Sequence, residues 1–342
     1  MSAQPAAAAT HSRVADAAAP AFSVIVATHN RSNVLAYAIR SVLAQTRGDF
    51  ELLVVGDGCT DDTVAVVAGF RDPRIRFENL DPRVGDQSGP TNRGFALARG
   101  RYLALLNHDD LWFPDHLARA GEALERGDAD LVFPLQLELD PDGRWRMNSI
   151  FPDGFDPLLH PNASAWVFRR ELAVRTGPLV RRGETYTYPT RQWLMRAWHG
   201  GARLAAVPAA TVVVISATTR RNTYRERPDH EQAAVWAGMT GDPGFRERCL
   251  VDAWTQPRQT HLRALAPRVL LRGMAMRAAG RLAQWFGIDP EAVYCYAKFP
   301  RRYGILPVRG AVITELYRRR GLSGNEAAPG AVGPDSATGS PS

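Results

Sequence analysis

The feature that most constrains this chain is an alternation. Stretches that suit buried strands are each broken by a polar loop and then followed by apolar positions at helical spacing. Phe22-Ser23-Val24-Ile25-Val26-Ala27 ends in Thr28-His29-Asn30-Arg31-Ser32-Asn33, after which Val34, Leu35, Ala38, Ile39, Val42 and Leu43 recur with the period of an amphipathic helix. Residues 50–55 repeat the pattern as a second strand, ending in Gly56-Asp57-Gly58-Cys59-Thr60-Asp61-Asp62 before the apolar positions Val64, Val67 and Ala68. Asp61 or Thr60 can cap that helix. Residues 75–80 make a short third strand, Gly89-Pro90-Thr91-Asn92-Arg93-Gly94 leads into a helix closing at Ala98-Arg99-Gly100 with Gly100 as C-cap, and residues 102–106 form a fourth strand. Strands separated by helices predict an α/β fold with a parallel sheet, whose ligands sit beyond the carboxyl ends of the strands.

The fourth strand stops abruptly at Asn107-His108-Asp109-Asp110. An Asp-capped helix after a strand accounts for such a cluster. A site for a divalent metal beside a phosphorylated ligand accounts for it as well, since a buried strand can deliver oxygen ligands at its end. Two further polar clusters, Thr28-His29-Asn30 and Asp57-Gly58, occupy the ends of neighbouring strands. Three such loops on one edge would line a single crevice, which favours a binding site.

These segments, in this order and spacing, also resemble family 2 glycosyltransferases of the GT-A fold, over about residues 22–220. The resemblance implies a mainly parallel sheet flanked by helices and an enzyme that moves a sugar from a nucleoside diphosphate sugar to a hydroxyl acceptor with inversion. It implies that Thr28, Asn30 and Asp57 hold the base and ribose, Asp57 by accepting a base N–H, and that Asn92, Arg93 and Asn107 belong to the same nucleotide-sugar site. Asp109 matches the metal-binding acid of the family's Asp-x-Asp motif, so the implied cofactor is Mn²⁺ or Mg²⁺, neutralising the departing diphosphate. Cell-surface polysaccharide or glycolipid synthesis is the setting this suggests. The chain departs from the pattern twice: Asn107 stands where the first acid is expected, and Gly56 stands where many members have another Asp.

Inverting transfer needs a group that takes the acceptor hydroxyl's proton. In the family this acid often precedes a helix like Gln192-Trp193-Leu194-Met195-Arg196-Ala197-Trp198, but here the preceding residues are Tyr188-Pro189-Thr190-Arg191. Glu184 is the nearest upstream carboxylate, with Asp153 and Asp156 further back. The missing acid keeps a rival in play: a catalytically silent sugar-nucleotide-binding protein. A nucleotidyltransferase on a similar sheet is disfavoured, because no Gly-rich basic loop follows the first strand. The same turn lacks the Gly-rich fingerprint of a nicotinamide dehydrogenase.

Residues 204–215 read as another buried strand, followed by the basic loop Arg220-Arg221-Asn222-Thr223-Tyr224-Arg225-Glu226-Arg227, whose guanidinium forks suit a diphosphate. His230 is a candidate additional metal ligand. Residues 1–20 and 322–342, rich in small and polar residues, read as a disordered leader and tail around a glycosyltransferase domain at 21–225 and a helical appendage at 226–321. In the appendage, arginines interleave with apolar and aromatic residues, notably Arg301-Arg302 and Arg318-Arg319-Arg320 beside Trp285, Phe286, Tyr294, Tyr296, Phe299 and Tyr303. With a formal net charge of +7 in 342 residues, this suits an anionic membrane surface presenting a lipid-linked acceptor. No nucleic-acid-binding signature accompanies the charge. Cys59, Cys249 and Cys295 are too scattered for a disulfide framework, which points to a reducing cytoplasm and the inner face of the membrane.

Overall fold

Strand β1 (Phe22–Thr28) is buried along almost its whole length and β2 (Phe50–Gly56) along all of it, as expected of central strands covered on both faces. The computed structural model describes residues 19–148, 155, 161–215, 220–255, 267–298 and 308–322. Asp153, Asp156, Phe299, Arg301, Arg302 and Tyr303 lie outside these, as do nearly all of the expected leader and tail.

In chain order β1 is followed by α1 (Ser32–Leu43), β2, α2 (Thr63–Gly69), β3 (Ile75–Asn79), α3 (Ser88–Leu97) and β4 (Tyr102–Asn107). Then come β5 (Leu111–Trp112), α4 (His116–Glu125), β6 (Leu131–Leu139), β7 (Trp145–Asn148), β8 (Val167–Arg169), α5 (Arg170–Thr176) and α6 (Pro189–His199). The chain continues through β9 (Leu204–Val214), α7 (Thr223–Glu226), α8 (His230–Gly241), α9 (Phe245–Thr255), α10 (Pro267–Trp285), α11 (Pro290–Lys298) and α12 (Ala311–Arg319). The sheet order is β3-β2-β1-β4-β8-β6-β9-β5, with β7 beside β6. Strands β3, β2, β1 and β4 are parallel, and β6 pairs in parallel with β9. The short β8 runs antiparallel between β4 and β6, while β5 and β7 are antiparallel to β9 and β6. The sheet is therefore mixed, although most strands point the same way.

Apolar stripes of the helices close the core. Leu35, Ala38, Ile39 and Val42 of α1 and Leu117, Ala120 and Leu124 of α4 are fully buried against the sheet. Trp193 of α6 stacks on Trp166 with ring centres 5.9 Å apart. Truncating a buried aromatic of this kind costs roughly 3–5 kcal/mol. A separate cluster joins α11 and α12 through Tyr294, Cys295, Val312, Ile313 and Leu316 and packs on Tyr186 and Tyr188, just before α6.

Two local expectations resolve in detail. Asp61, rather than Thr60, serves helix starts, and it serves two: its carboxylate accepts from Ser32 N at 3.2 Å and Thr63 N at 3.2 Å, the first residues of α1 and α2. Burial alone would raise its pKa, but these bonds and those from the Thr63 and Ser32 hydroxyls outweigh burial and hold it below the usual carboxylate range. Gly100 is no C-cap, because α3 ends at Leu97 with Ala98 as its cap. Glycine is required there by close approach: a Cβ would lie 2.5 Å from Ser23 N of β1.

His116, fully buried and stacked 4.1 Å from Trp112, pairs through Nδ1 with the Thr211 hydroxyl at 2.8 Å. Burial lowers its pKa to about 3. Between the ordinary value near 6.5 and that folded value, the unfolded chain binds the proton and the folded chain does not, so this residue's contribution to stability falls as pH drops through that window. Melting temperatures measured between pH 7.5 and 5 are expected to decline, with a shallower slope in His116→Gln. An unchanged slope in that variant would reject the assignment.

Candidate active site

At the carboxyl ends of β1, β2 and β4 the loops enclose a cavity of about 360 Å³, within the range of small-molecule sites. The three polar clusters singled out in the sequence meet there: Thr28 and His29 after β1, Asp57 after β2, and Asn107 to Asp110 after β4. The opposite wall comes from the start of α6, from Tyr224 in α7, from Tyr294 and Tyr317 in the last two helices, and from Arg320 just after them. The wall therefore draws on both sides of the expected boundary at residue 226.

The base of the site is a hydrogen-bonded frame. Asp57, 3% exposed, accepts from Val84 N at 2.6 Å and Gly85 N at 2.8 Å and so holds the loop before α3. Its backbone carbonyl accepts from His29 Nδ1 at 2.9 Å. Asp86 accepts from Ser88 N at 2.7 Å and Arg182 N at 3.1 Å.

Asp110 is buried and saturated. It accepts from Ile215 N at 2.9 Å, the Ser164 hydroxyl at 2.5 Å and Asn107 Nδ2 at 3.0 Å. Burial and the adjacent Asp109 charge push its pKa up to about 7 against those bonds. Asp109 beside it is different, for its carboxylate lines the cavity and makes no hydrogen bond or ion pair with a described residue.

Both departures from the family pattern have a physical reason. Asn107 donates both amide hydrogens, to Asp110 at 3.0 Å and Asn162 Oδ1 at 2.9 Å, and accepts from Gln87 Nε2 at 3.0 Å. A carboxylate there would have no hydrogen to donate and would face Asp110. At Gly56 a Cβ would lie 2.4 Å from Asn79 Oδ1. That amide fills the space, bonding Cys59 N at 2.8 Å and Cys59 O at 3.0 Å.

The remaining residues expected at the site fall outside the cavity lining. Asn30, in left-handed conformation at φ 47°, binds Thr60 N at 2.8 Å and bridges two loops. Asn92 exchanges hydrogen bonds with the Leu179 backbone at 2.8 and 2.9 Å. Arg93 pairs with Glu78 at 2.6 Å on the surface. Glu184 is exposed in the turn Arg182–Glu184, and His230 is exposed at the start of α8.

Several residues of the site carried no sequence signal. Where a family acid is expected just before Gln192, Arg191 lies in the first turn of α6 and in the wall, 4% exposed, and pairs with Glu291 of α11 at 2.9 Å, to which the Thr187 hydroxyl also donates at 2.8 Å. His108 packs edge-on against Tyr224 at 6.3 Å, and its Nδ1 is buried without a partner. Burial lowers its pKa to about 4, so the ring is neutral at physiological pH. The family motif marked position 108 only as the variable residue between two acids.

Comparison with known proteins adds three findings. The family model described as glycosyl transferase family 2 matches residues 23–196. The succinoglycan biosynthesis protein ExoO of Rhizobium meliloti is 41% identical over 110 residues, covering 32% of this chain and 30% of that protein. The PGL/p-HBAD biosynthesis glycosyltransferase of Mycobacterium bovis is 37% identical over 132 residues, covering 37% of this chain and 51% of that protein. The chain thus spans between about a third and a half of the length of these relatives. The crystal structure of S. aureus TarS 1-349 shares the fold, with a TM-score of 0.50 at 17% identity over 90% of this chain and 88% of that one.

The frame makes a prediction about position 107. Asn107→Asp is expected to lower the melting temperature, because it trades two donated hydrogen bonds for charge repulsion worth on the order of 1–3 kcal/mol. Equal thermal stability of variant and parent would overturn this account of the missing acid.

Proposed function

The chain belongs to glycosyl transferase family 2, and from that premise we propose that its cavity binds a nucleoside diphosphate sugar and transfers the sugar to a hydroxyl acceptor with inversion. The observation that carries this reading is the contrast at the end of β4. Asp110 is consumed by structural hydrogen bonds, while Asp109 faces the cavity with its oxygens available to a ligand.

Among the described residues no three His, Cys, Asp or Glu side chains are grouped as a closed metal cage. One cavity-facing carboxylate still fits Mn²⁺ or Mg²⁺, which binds through one or two carboxylates together with substrate phosphates and water. Bound there by Asp109, such an ion would neutralise the leaving diphosphate. Thr28 and His29 line the end of the cavity proposed for the base and ribose. Asp57, which lines the cavity, also holds the Val84-Gly85 loop in place, and each of its oxygens keeps a lone pair for a base N–H. We assign proton acceptance from the acceptor to a lining carboxylate, for which Glu138 of β6 is the choice, since it lines the cavity and Glu184 does not.

The relatives named for succinoglycan and PGL/p-HBAD biosynthesis support a growing polysaccharide or a glycolipid as the acceptor class. Among the described residues no helix is long and apolar enough to cross a membrane. Peripheral attachment at the cytoplasmic face is supported by α10, whose sequence holds four arginines and no acid. Leu271, Met274 and Trp285 on it and Phe286 just after it are exposed, Trp285 by 82%.

Titration with UDP, GDP and TDP is expected to reveal one that binds more tightly with Mn²⁺, and Asp109→Ala to lose that enhancement and at least about 100-fold in turnover. Full turnover in Asp109→Ala would reject its role, and binding without transfer to any acceptor would favour the silent sugar-nucleotide-binding alternative. Glu138→Gln should slow transfer while Glu184→Gln does not; the reverse result would return the base to Glu184. Vesicles containing anionic lipid should sediment with the protein, and less so with Trp285→Ser and Phe286→Ser combined. Equal sedimentation with neutral vesicles would remove the electrostatic part of the attachment.

A further inference from the structure

Two guanidinium groups beside the cavity lack the carboxylate partners that Arg191 and Arg220 have. Arg191 pairs with Glu291, and Arg220 pairs with Glu231 at 2.5 Å. Arg31, at the start of α1, is 2% exposed, donates Nη1 to Thr223 O at 3.0 Å, and keeps its Nε buried without a hydrogen-bond partner. Its guanidinium lies over the Tyr224 ring at 5.4 Å. Asp109 acts on it through space, with no hydrogen bond between the two.

Arg320, immediately after α12, is half-buried and lines the cavity, and its Nε is likewise buried and unpartnered. Its carbonyl accepts from Tyr224 N at 3.0 Å, so its backbone is tied to that of the residue whose ring Arg31 covers. Neither arginine makes an ion pair with a described residue. Burying part of a guanidinium without satisfying its donors is unfavourable in an isolated chain. It becomes favourable once an anion supplies the missing charge, and the guanidinium fork of the cavity-lining Arg320 matches phosphate oxygens.

We propose that Arg31 and Arg320 form an anion clamp for the diphosphate of the nucleoside diphosphate, so that the segment after α12 completes the donor site and holds the diphosphate even without a divalent cation. This rests on the sugar-nucleotide reading above and adds a charge partner to it. Arg320 binds the diphosphate from the C-terminal wall. Arg31, reaching the site behind Tyr224, fixes that ring and adds its positive potential. The reduced acid count at Asn107 is consistent with a site in which protein cations share the neutralisation of the leaving group.

The test is calorimetric titration of the full-length protein with UDP, GDP and TDP, in EDTA and in Mn²⁺. The preferred nucleotide should bind in EDTA, and Arg320→Gln should weaken that binding at least about tenfold, the loss of one charge-assisted contact, while keeping the factor by which Mn²⁺ tightens it. Arg31→Lys, which retains the charge and whose folding is checked by its melting temperature, should lose a smaller factor. Binding in EDTA that is equal in the parent, Arg320→Gln and Arg31→Lys overturns the clamp and leaves the sugar-nucleotide reading standing. Absence of binding by all three nucleotides in both conditions overturns both.

Discussion

The buried carboxylate of Asp110 is the interaction on which the rest of the site depends. It sits where β4 ends and receives hydrogen bonds from three directions: Ile215 N beyond β9, the Ser164 hydroxyl in the turn before β8, and the Asn107 amide. Strands that are not neighbours in the chain are thereby joined at their carboxyl ends, which is the edge that carries the cavity. Burial works against this group, pushing its pKa up to about 7, and only a complete set of donors makes a carboxylate tolerable at 1% exposure. Because Asp110 is saturated, Asp109 next to it is left facing the cavity, and two adjacent acids acquire different roles from their surroundings.

The far wall depends on a second device, the return of the chain's last helices to the sheet edge. Glu291 of α11 meets Arg191 at the start of α6, and Tyr294 stacks under the same guanidinium at 3.8 Å. The pair is buried on both sides, a setting in which removal of one partner leaves an uncompensated charge. Asn222 N and Tyr224 N then bond the carbonyls of Arg319 and Arg320 at 2.9 and 3.0 Å, closing α7 onto the end of α12. A segment whose sequence resembles a surface appendage thus helps to form the cavity.

β1, β2 and β4 were legible because each is a near-continuous apolar run, and α1 because its apolar positions recur with a 3.6-residue period. β6 was not. Pro134 divides it into a three-residue apolar start and the alternating Leu135-Gln136-Leu137-Glu138-Leu139, and its register with β9 shifts on either side of Leu135, so that no single pattern runs its full length. β5 is only two residues long, and β8 only three, too short for any periodicity. Of the expected site residues, Thr28, Asp57, Asn107 and Asp109 line the cavity because they end strands that lie side by side. Asn30 stands two residues beyond β1, and Asn92 and Arg93 lie inside α3, where the chain has already turned to other partners.

What the sequence determined by itself is the edge of the sheet where the site lies and the type of group presented there, because strand direction and strand ends follow from local patterning. The tertiary structure alone decided which of two neighbouring acids is available, why an amide replaces the acid at position 107, and that Arg31 meets Arg320 across Tyr224. The physical reason is range. Hydrophobic periodicity acts between residues three or four apart, whereas the availability of a carboxylate or guanidinium depends on which donors and charges arrive from elements far along the chain, and no local pattern encodes their arrival.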